Sequence, residues 1–268
     1  MNILVTGGAG YIGSHTAVEL LDSGYDVVLI DNFSNSTPET LERIREVSGK
    51  DFQFYEMDLL DIEGLETVFQ KETIDAVIHF AGFKAVGESV QMPLAYYQNN
   101  LVGTLNVLKV MEKYQVSPFI FSSSATVYGT EHTPPFTEDL SIGANNPYGH
   151  TKVIVEKMLQ DIAAVTPEFS AVSLRYFNPI GAHPSGKLGE APNGTPHNLM
   201  PYISEVALGK RSHVTVYGDD YDTLDGTNVR DYIHVVDVAR GHLEALNFAV
   251  KHRGAHAFNL GTGRGYSV

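Results

Sequence analysis

The sequence predicts an α/β protein built on a Rossmann-type, doubly wound parallel sheet, followed by a smaller, C-terminally incomplete α/β substrate domain. Three observations carry that prediction. Short β-branched runs at 3–5, 27–30, 52–57, 76–80, 119–123 and 171–174 alternate with amphipathic stretches of helical length, the rhythm of βαβ units. The runs are continuously apolar, as in VVLI at 27–30, which suits strands buried on both faces of a parallel sheet. A glycine-rich turn, TGGAGYIG at 6–13, directly follows the first run and leads into a helix-forming stretch.

The first strand opens onto that turn, where Gly7, Gly10 and Gly13 have a dinucleotide-binding spacing. The first glycine allows the tight turn, the next lets a pyrophosphate approach the backbone, and the last lets the helix pack closely on the sheet. The helix N-terminus adds unpaired N–H donors. The second strand closes at Asp31, eighteen positions after Gly13, where a carboxylate accepts hydrogen bonds from an adenosine ribose diol. Residues 32–36 contain no Arg or Lys to offset a 2′-phosphate, so NAD is favoured over NADP. Asp58, after the third strand, is a weaker contact for the adenine end.

Apolar residues at three- and four-residue spacing mark crossover helices at 17–21, 94–114 and 148–165. The fifth strand runs into SSSATVYG at 122–129. Ligands in open α/β sheets bind outside the carboxyl ends of strands, which places Ser124 to hydrogen-bond a reacting hydroxyl. Tyr148 and Lys152 stand four apart at the start of the next helix, so their side chains share one face. A free phenol titrates near pH 10, and a useful base at pH 7 needs a fall of about three units. A neighbouring ammonium and an oxidised nicotinamide both carry the sign that lowers it.

After residue 176 the texture changes to NPIGAHPSG at 178–186 and to short elements broken by Pro192, Pro196 and Pro201. This predicts an NAD-binding domain at 1–176 and a second, smaller region at 177–268, which the family resemblance given below implies is a partial nucleotide-sugar-binding domain. The last residues, GTGRGYSV at 261–268, read as a turn with Ser267 as the N-cap of a helix beyond the chain.

Composition excludes several classes. With 268 residues, 43% hydrophobic and 19% charged, the chain has material for a large core and is far from disorder. Eighteen basic against thirty-two acidic residues give a net charge of -14, which opposes a nucleic-acid partner. The absence of cysteine removes disulfides, thiolate metal sites and Cys nucleophiles, and suits a reducing compartment. No signal-peptide pattern opens the chain, and its apolar runs fall far short of the roughly 20 residues that span a bilayer. A cytoplasmic protein without membrane contact is expected. No metal is expected either: the eleven His form no H-E-x-x-H, His252 and His256 enclose a glycine, and the acidic run at 219–225 has no calcium-loop register.

Eight motifs in order carry a resemblance that spans the whole chain: GGAGYIGSH at 7–15, DNFSNS at 31–36, HFAGFKAVGES at 79–89, SSSATVYG at 122–129, YGHTK at 148–152, RYFNPIGAHPSG at 175–186, HNLMPYI at 197–203 and GDDYDTLDGTNVRDYIHV at 218–235. Together they resemble the extended short-chain dehydrogenase/reductase family, and within it the members that epimerise UDP-hexoses. The resemblance implies an NAD site lined by Tyr11, Ile12, Asp31, Asn32, Ser36, Asp58, Leu59, Phe80, Ala81, Gly82, Lys84 and Asn99, with Phe177 beside the nicotinamide. It implies catalytic roles for Ser124, Tyr148 and Lys152, the last two also touching NAD and the first two the sugar. Asn178, Asn198, Leu199, Thr215, Val216, Tyr217 and Arg230 would hold the nucleotide sugar. A guanidinium fork such as that of Arg230 suits a diphosphate.

The implied activity is interconversion of UDP-galactose and UDP-glucose through a transient 4-keto sugar and enzyme-bound NADH. A homodimer through the helices at 94–114 and 148–165 is also implied. Family members continue further, with another diphosphate-binding arginine and a residue gating the sugar 2-substituent. Alternatives are an epimerase of UDP-N-acetylglucosamine or UDP-glucuronate, and a non-catalytic NAD sensor. A 4,6-dehydratase is disfavoured, because Ala125 and Thr126 stand where that reaction needs an acid and a base.

Overall fold

Apolar strands too short to span anything but a sheet layer, separated by helices, lead to one arrangement in the computed structural model, which describes all residues of 1–268 except Thr195 and His197. The 197–203 motif therefore begins outside the described residues. The first half consists of β1 (Asn2–Thr6), α1 (Tyr11–Asp22), β2 (Asp26–Asp31), α2 (Glu39–Ser48), β3 (Gln53–Glu56), α3 (Ile62–Lys71) and β4 (Ala76–His79). The chain continues through α4 (Val86–Gln91), α5 (Pro93–Tyr97), α6 (Gly103–Tyr114), β5 (Pro118–Ser122), α7 (Pro147–Val165) and β6 (Ser170–Tyr176). It ends with β7 (Asn178–Ile180), α8 (Leu199–Ala207), β8 (Val229–His234), α9 (Val235–Ala249), β9 (Gly254–Leu260) and β10 (Gly265–Ser267).

The main sheet has seven strands in the order β3-β2-β1-β4-β5-β6-β9, and every neighbouring pair is parallel. Alternate side chains of each strand point to opposite faces, so an apolar run feeds two cores. Ile3, Val5 and Leu29 pack with Ala17, Leu20 and Leu246 on the α1/α9 side. Leu4, Val28 and Ile30 pack with Leu65, Val107 and Met111 on the α3/α6 side. The strand order reverses between β1 and β4, the switch point at which an open α/β sheet leaves a crevice for ligand. Among the described residues no helix is long and apolar enough to cross a membrane.

Three expectations are corrected. The helix expected over 94–114 is interrupted: α5 stops at Tyr97, residues 98–102 form a π-helical turn, and α6 starts at Gly103. π-turns often re-aim a side chain at functional sites; here Asn100 accepts from Phe83 N at 2.8 Å and donates to Phe83 O at 3.0 Å, fixing the loop after β4. The chain also crosses the expected boundary at 176/177 a second time. Helix α9 packs on α1, and β9 pairs with β6 over Ser170↔Gly254 to Tyr176↔Leu260, covering a β6 edge that would otherwise expose unpaired N–H and C=O groups. The second region keeps the three-stranded sheet β10-β8-β7. Finally, Ser267 lies in a strand, because 265–267 pair antiparallel with β8.

Candidate active site

The cavity at the carboxyl ends of the strands has a volume of about 1650 Å³. One drug-sized ligand fills about 300–1,000 Å³, so two ligands fit side by side. Its floor at the β1 end is the glycine loop. Gly7 adopts a positive φ of 69°; a Cβ there would stand 2.8 Å from Ala81 N, and one on Gly13 would stand 2.2 Å from Gly7 O. The start of α1 is thereby drawn against β1 and β4 with its free N–H groups turned to the cavity, a cradle that fits a pyrophosphate.

Asp31 stands buried at the end of β2 and lines the cavity. Its carboxylate accepts from Ala9 N at 3.0 Å, Phe33 N at 2.9 Å and Ser36 Oγ at 2.8 Å. A carboxylate has about four lone-pair sites, so one remains for a ribose hydroxyl while the rest shape the loop around it. Asn32 donates to Asp58 Oδ2 at 3.0 Å, and Leu59, Phe80, Ala81, Gly82 and Asn99 complete this wall. Tyr11 donates to Gly181 O at 2.6 Å, and burial, reinforced by Glu190, pushes its phenol above the ordinary value.

The chemistry-bearing side chains come from the end of β5 and the first turns of α7. Asn146 caps α7 by accepting from Gly149 N at 2.9 Å, and Pro147 occupies the first turn where no N–H is missed. This fixes Tyr148 and Lys152, both buried, on the cavity side. Lys152 Nζ donates to Ser122 O at 2.8 Å and lies 5.7 Å from the Tyr148 ring centroid. Burial brings the Lys152 ammonium down to about 8, with Glu156 acting to keep it charged. Burial, with help from Tyr176, pushes the Tyr148 phenol above its ordinary value, and hydrogen bonding with Ser124 offsets only part of this. The expectation joins Lys152 with an oxidised nicotinamide; the protein's own groups by themselves raise the phenol, because in a dry site desolvation outweighs one ammonium 5.7 Å from the ring.

Most sequence-predicted residues meet here. Gly7, Gly10, Tyr11, Ile12, Gly13, Asn32, Ser36, Asp58, Lys84, Ser124, Phe177, Asn178, Asn198 and Arg230 all line the one cavity. Four do not. Leu199 begins α8 without lining it, and Thr215, Val216 and Tyr217 lie in a loop outside it, with Tyr217 85% exposed. Reasoning from sequence missed Glu190, which accepts from Lys84 Nζ at 3.0 Å and from Asn198 Nδ2 at 2.6 Å. It also missed Tyr176, whose hydroxyl is 2.8 Å from Ser122 Oγ, and Arg264 at the rim. Only the lone acid in the Pro/Gly-rich LGEAP at 188–192 offered a signal for Glu190.

A Rossmann cleft with its own tyrosine and lysine, roofed at one end by a second small sheet, is the arrangement of an extended short-chain dehydrogenase/reductase. Residues 3–261 match the model of the NAD dependent epimerase/dehydratase family, and the chain belongs to that family. The chain is 60% identical to UDP-glucose 4-epimerase of Bacillus subtilis (strain 168) over 268 residues, all of this chain and 79% of that protein. It is 54% identical to UDP-glucose 4-epimerase of Dictyostelium discoideum over 99% of this chain and 78% of that one. The crystal structure of UDP-glucose 4-epimerase from Bifidobacterium longum in complex with NAD+ and UDP superposes with a TM-score of 0.97 at 54% identity, covering 100% of this chain and 80% of that one.

Proposed function

We propose that the protein is an NAD-dependent UDP-sugar 4-epimerase that interconverts UDP-galactose and UDP-glucose. The observation that carries this reading is the convergence of Ser124, Tyr148 and Lys152 on the cavity that the glycine loop enters. The identity and superposition given above support the choice of substrate.

NAD held by the glycine loop and Asp31 would supply the hydride acceptor and donor for sugar C4, and its cationic ring would favour the phenolate. The protein supplies the rest. Tyr148 Oη takes the proton of the 4-hydroxyl, leaving a 4-keto sugar, and gives that proton back after the ring has turned. Ser124 relays it between sugar and phenol. Lys152, anchored on Ser122 O, places a positive charge near the developing phenolate. Arg230 at the cavity rim holds the diphosphate by charge-assisted hydrogen bonds, so the sugar can rotate about a fixed handle. The balance is an isomerisation with no net redox change.

We also propose a cytoplasmic homodimer. Helices α4 and α5 pack on α7, and Val90, Met92 and Leu94, in or between them, are exposed, apolar surface of the kind that marks an interface. The deciding experiment incubates the protein with UDP-galactose and follows UDP-glucose, with Tyr148→Phe as control. Conversion by the wild type and its collapse in the variant are expected; a fully active variant would refute the assigned base.

A further inference from the structure

Residues 181–193 cross the dinucleotide end of the cleft as a strap, with contacts to the opposite wall, to the core and to the start of α8. At one end Gly181 O accepts from Tyr11 Oη on α1 at 2.6 Å. Leu188 is 3% exposed and sits in the core against the sheet, held by a turn in which His183 N donates to Leu188 O at 2.9 Å. Lys187 pairs with Glu46 on α2. At the other end Asn193 N donates to Asn35 Oδ1 at 3.2 Å, and its side chain donates to Ser36 O at 3.3 Å, next to the ribose-facing Asp31.

Glu190 is the pivot. Its side chain is 9% exposed, and a single oxygen, Oε1, accepts from Lys84 after β4 and from Asn198 at the start of α8. A carboxylate lining a cavity built for two diphosphates repels both ligands, so its presence needs a reason other than direct contact. Bridging the first region to the second across the cleft supplies that reason. The charge-assisted bond to Lys84 joins the middle of the strap to the loop after β4, and that loop faces the dinucleotide cradle through Ala81.

We infer that 181–193 form a retaining strap over the dinucleotide and that Glu190 is the positioning residue that locks it, setting how slowly NAD leaves. This rests on the proposed function only in requiring NAD in the cleft. Retention matters to the chemistry, because a protein that lost its reduced dinucleotide midway would strand the ketone.

The test follows NAD release from the purified holoprotein after rapid desalting, by extracting and quantifying the nucleotide retained over time. Glu190→Gln keeps an acceptor and loses the charge; it should release NAD about tenfold faster, the scale of one charge-assisted hydrogen bond. Asn193→Ala loosens the far end and should also speed release. Tryptic cleavage after Lys187 should accelerate in Glu190→Gln. Activity of the diluted variant should decay with NAD loss and return on adding NAD, which a folding defect would not show. Retention equal to wild type in both variants, with unchanged cleavage, overturns the strap. A wild type that holds NAD but leaves UDP-galactose unchanged would instead sink the proposed reaction and leave the strap standing.

Discussion

Tyr148 is buried where its own protein makes ionisation hard, and that is useful in a base that must give its proton back. A phenol poised to ionise only when a positive ring lies beside it is active only in the loaded site. Tyr148→Phe should therefore lower kcat by about 10²–10⁴, the worth of a positioned proton acceptor, while UDP binding measured by calorimetry stays near wild type. Lys152 sets a pH limit. Its ammonium, brought down to about 8 by burial, is charged below that pH and neutral above it, so the charge that supports the phenolate disappears as pH rises. The kcat profile should fall on the alkaline side from about pH 8. In Lys152→Arg, whose guanidinium does not titrate in this range, whatever turnover remains should lack that limb.

One turn beyond Lys152 the same helix makes an ion pair that ties it to the sheet. Glu156 and Arg175, 2% and 4% exposed, meet at 2.7 Å and join α7 to β6. Arg175 also donates to Tyr128 Oη at 3.0 Å, and Ser123 donates to Glu156 Oε1 at 2.5 Å, so the pair fastens the serine loop as well. Breaking one side of such a pair leaves a buried charge uncompensated. Glu156→Ala should cost about 3–5 kcal/mol, read as a lowered Tm. It also removes the negative charge that keeps Lys152 protonated, so the alkaline limb of any remaining activity should move to lower pH. A purely structural defect would lower the profile without moving it.

These elements were legible in the sequence to different degrees, for physical reasons. Strands β1, β2 and β4 announced themselves as apolar runs because both faces are buried, and the glycine loop did so because Gly7 and Gly13 sit where no Cβ fits. Strand β9, reading GAHAFNL, shows no such run. Its place beside β6 is set by a pairing across some eighty residues that local periodicity does not encode. Glu190 was hidden for a related reason: its partners Lys84 and Asn198 converge only when the strap closes. The π-turn at 98–102 preserves helical spacing on either side and so looks like one continuous helix until Asn100 is seen to reach Phe83.

At the scale of the whole molecule, the exposed apolar residues around α5 call for an explanation. Leu94 is 82% exposed, Val90 and Met92 close to it in sequence are exposed as well, and so are Leu105 on α6 and Ile154 on α7. Leaving several large side chains in water costs about 25 cal/mol for each Å² that association would cover. The acidic net charge of -14 keeps other surfaces apart and concentrates association on a patch with few charges. A two-fold pairing of this face with itself satisfies both constraints, because a self-complementary patch closes after two copies. Light scattering on the wild type should give twice the monomer mass at micromolar concentration. Leu94→Glu places two carboxylates against apolar surface across the axis and should shift the protein to the monomer mass. Since Leu94 does not line the cavity, the monomer should still bind NAD, and a dimer that survives Leu94→Glu would place the interface elsewhere.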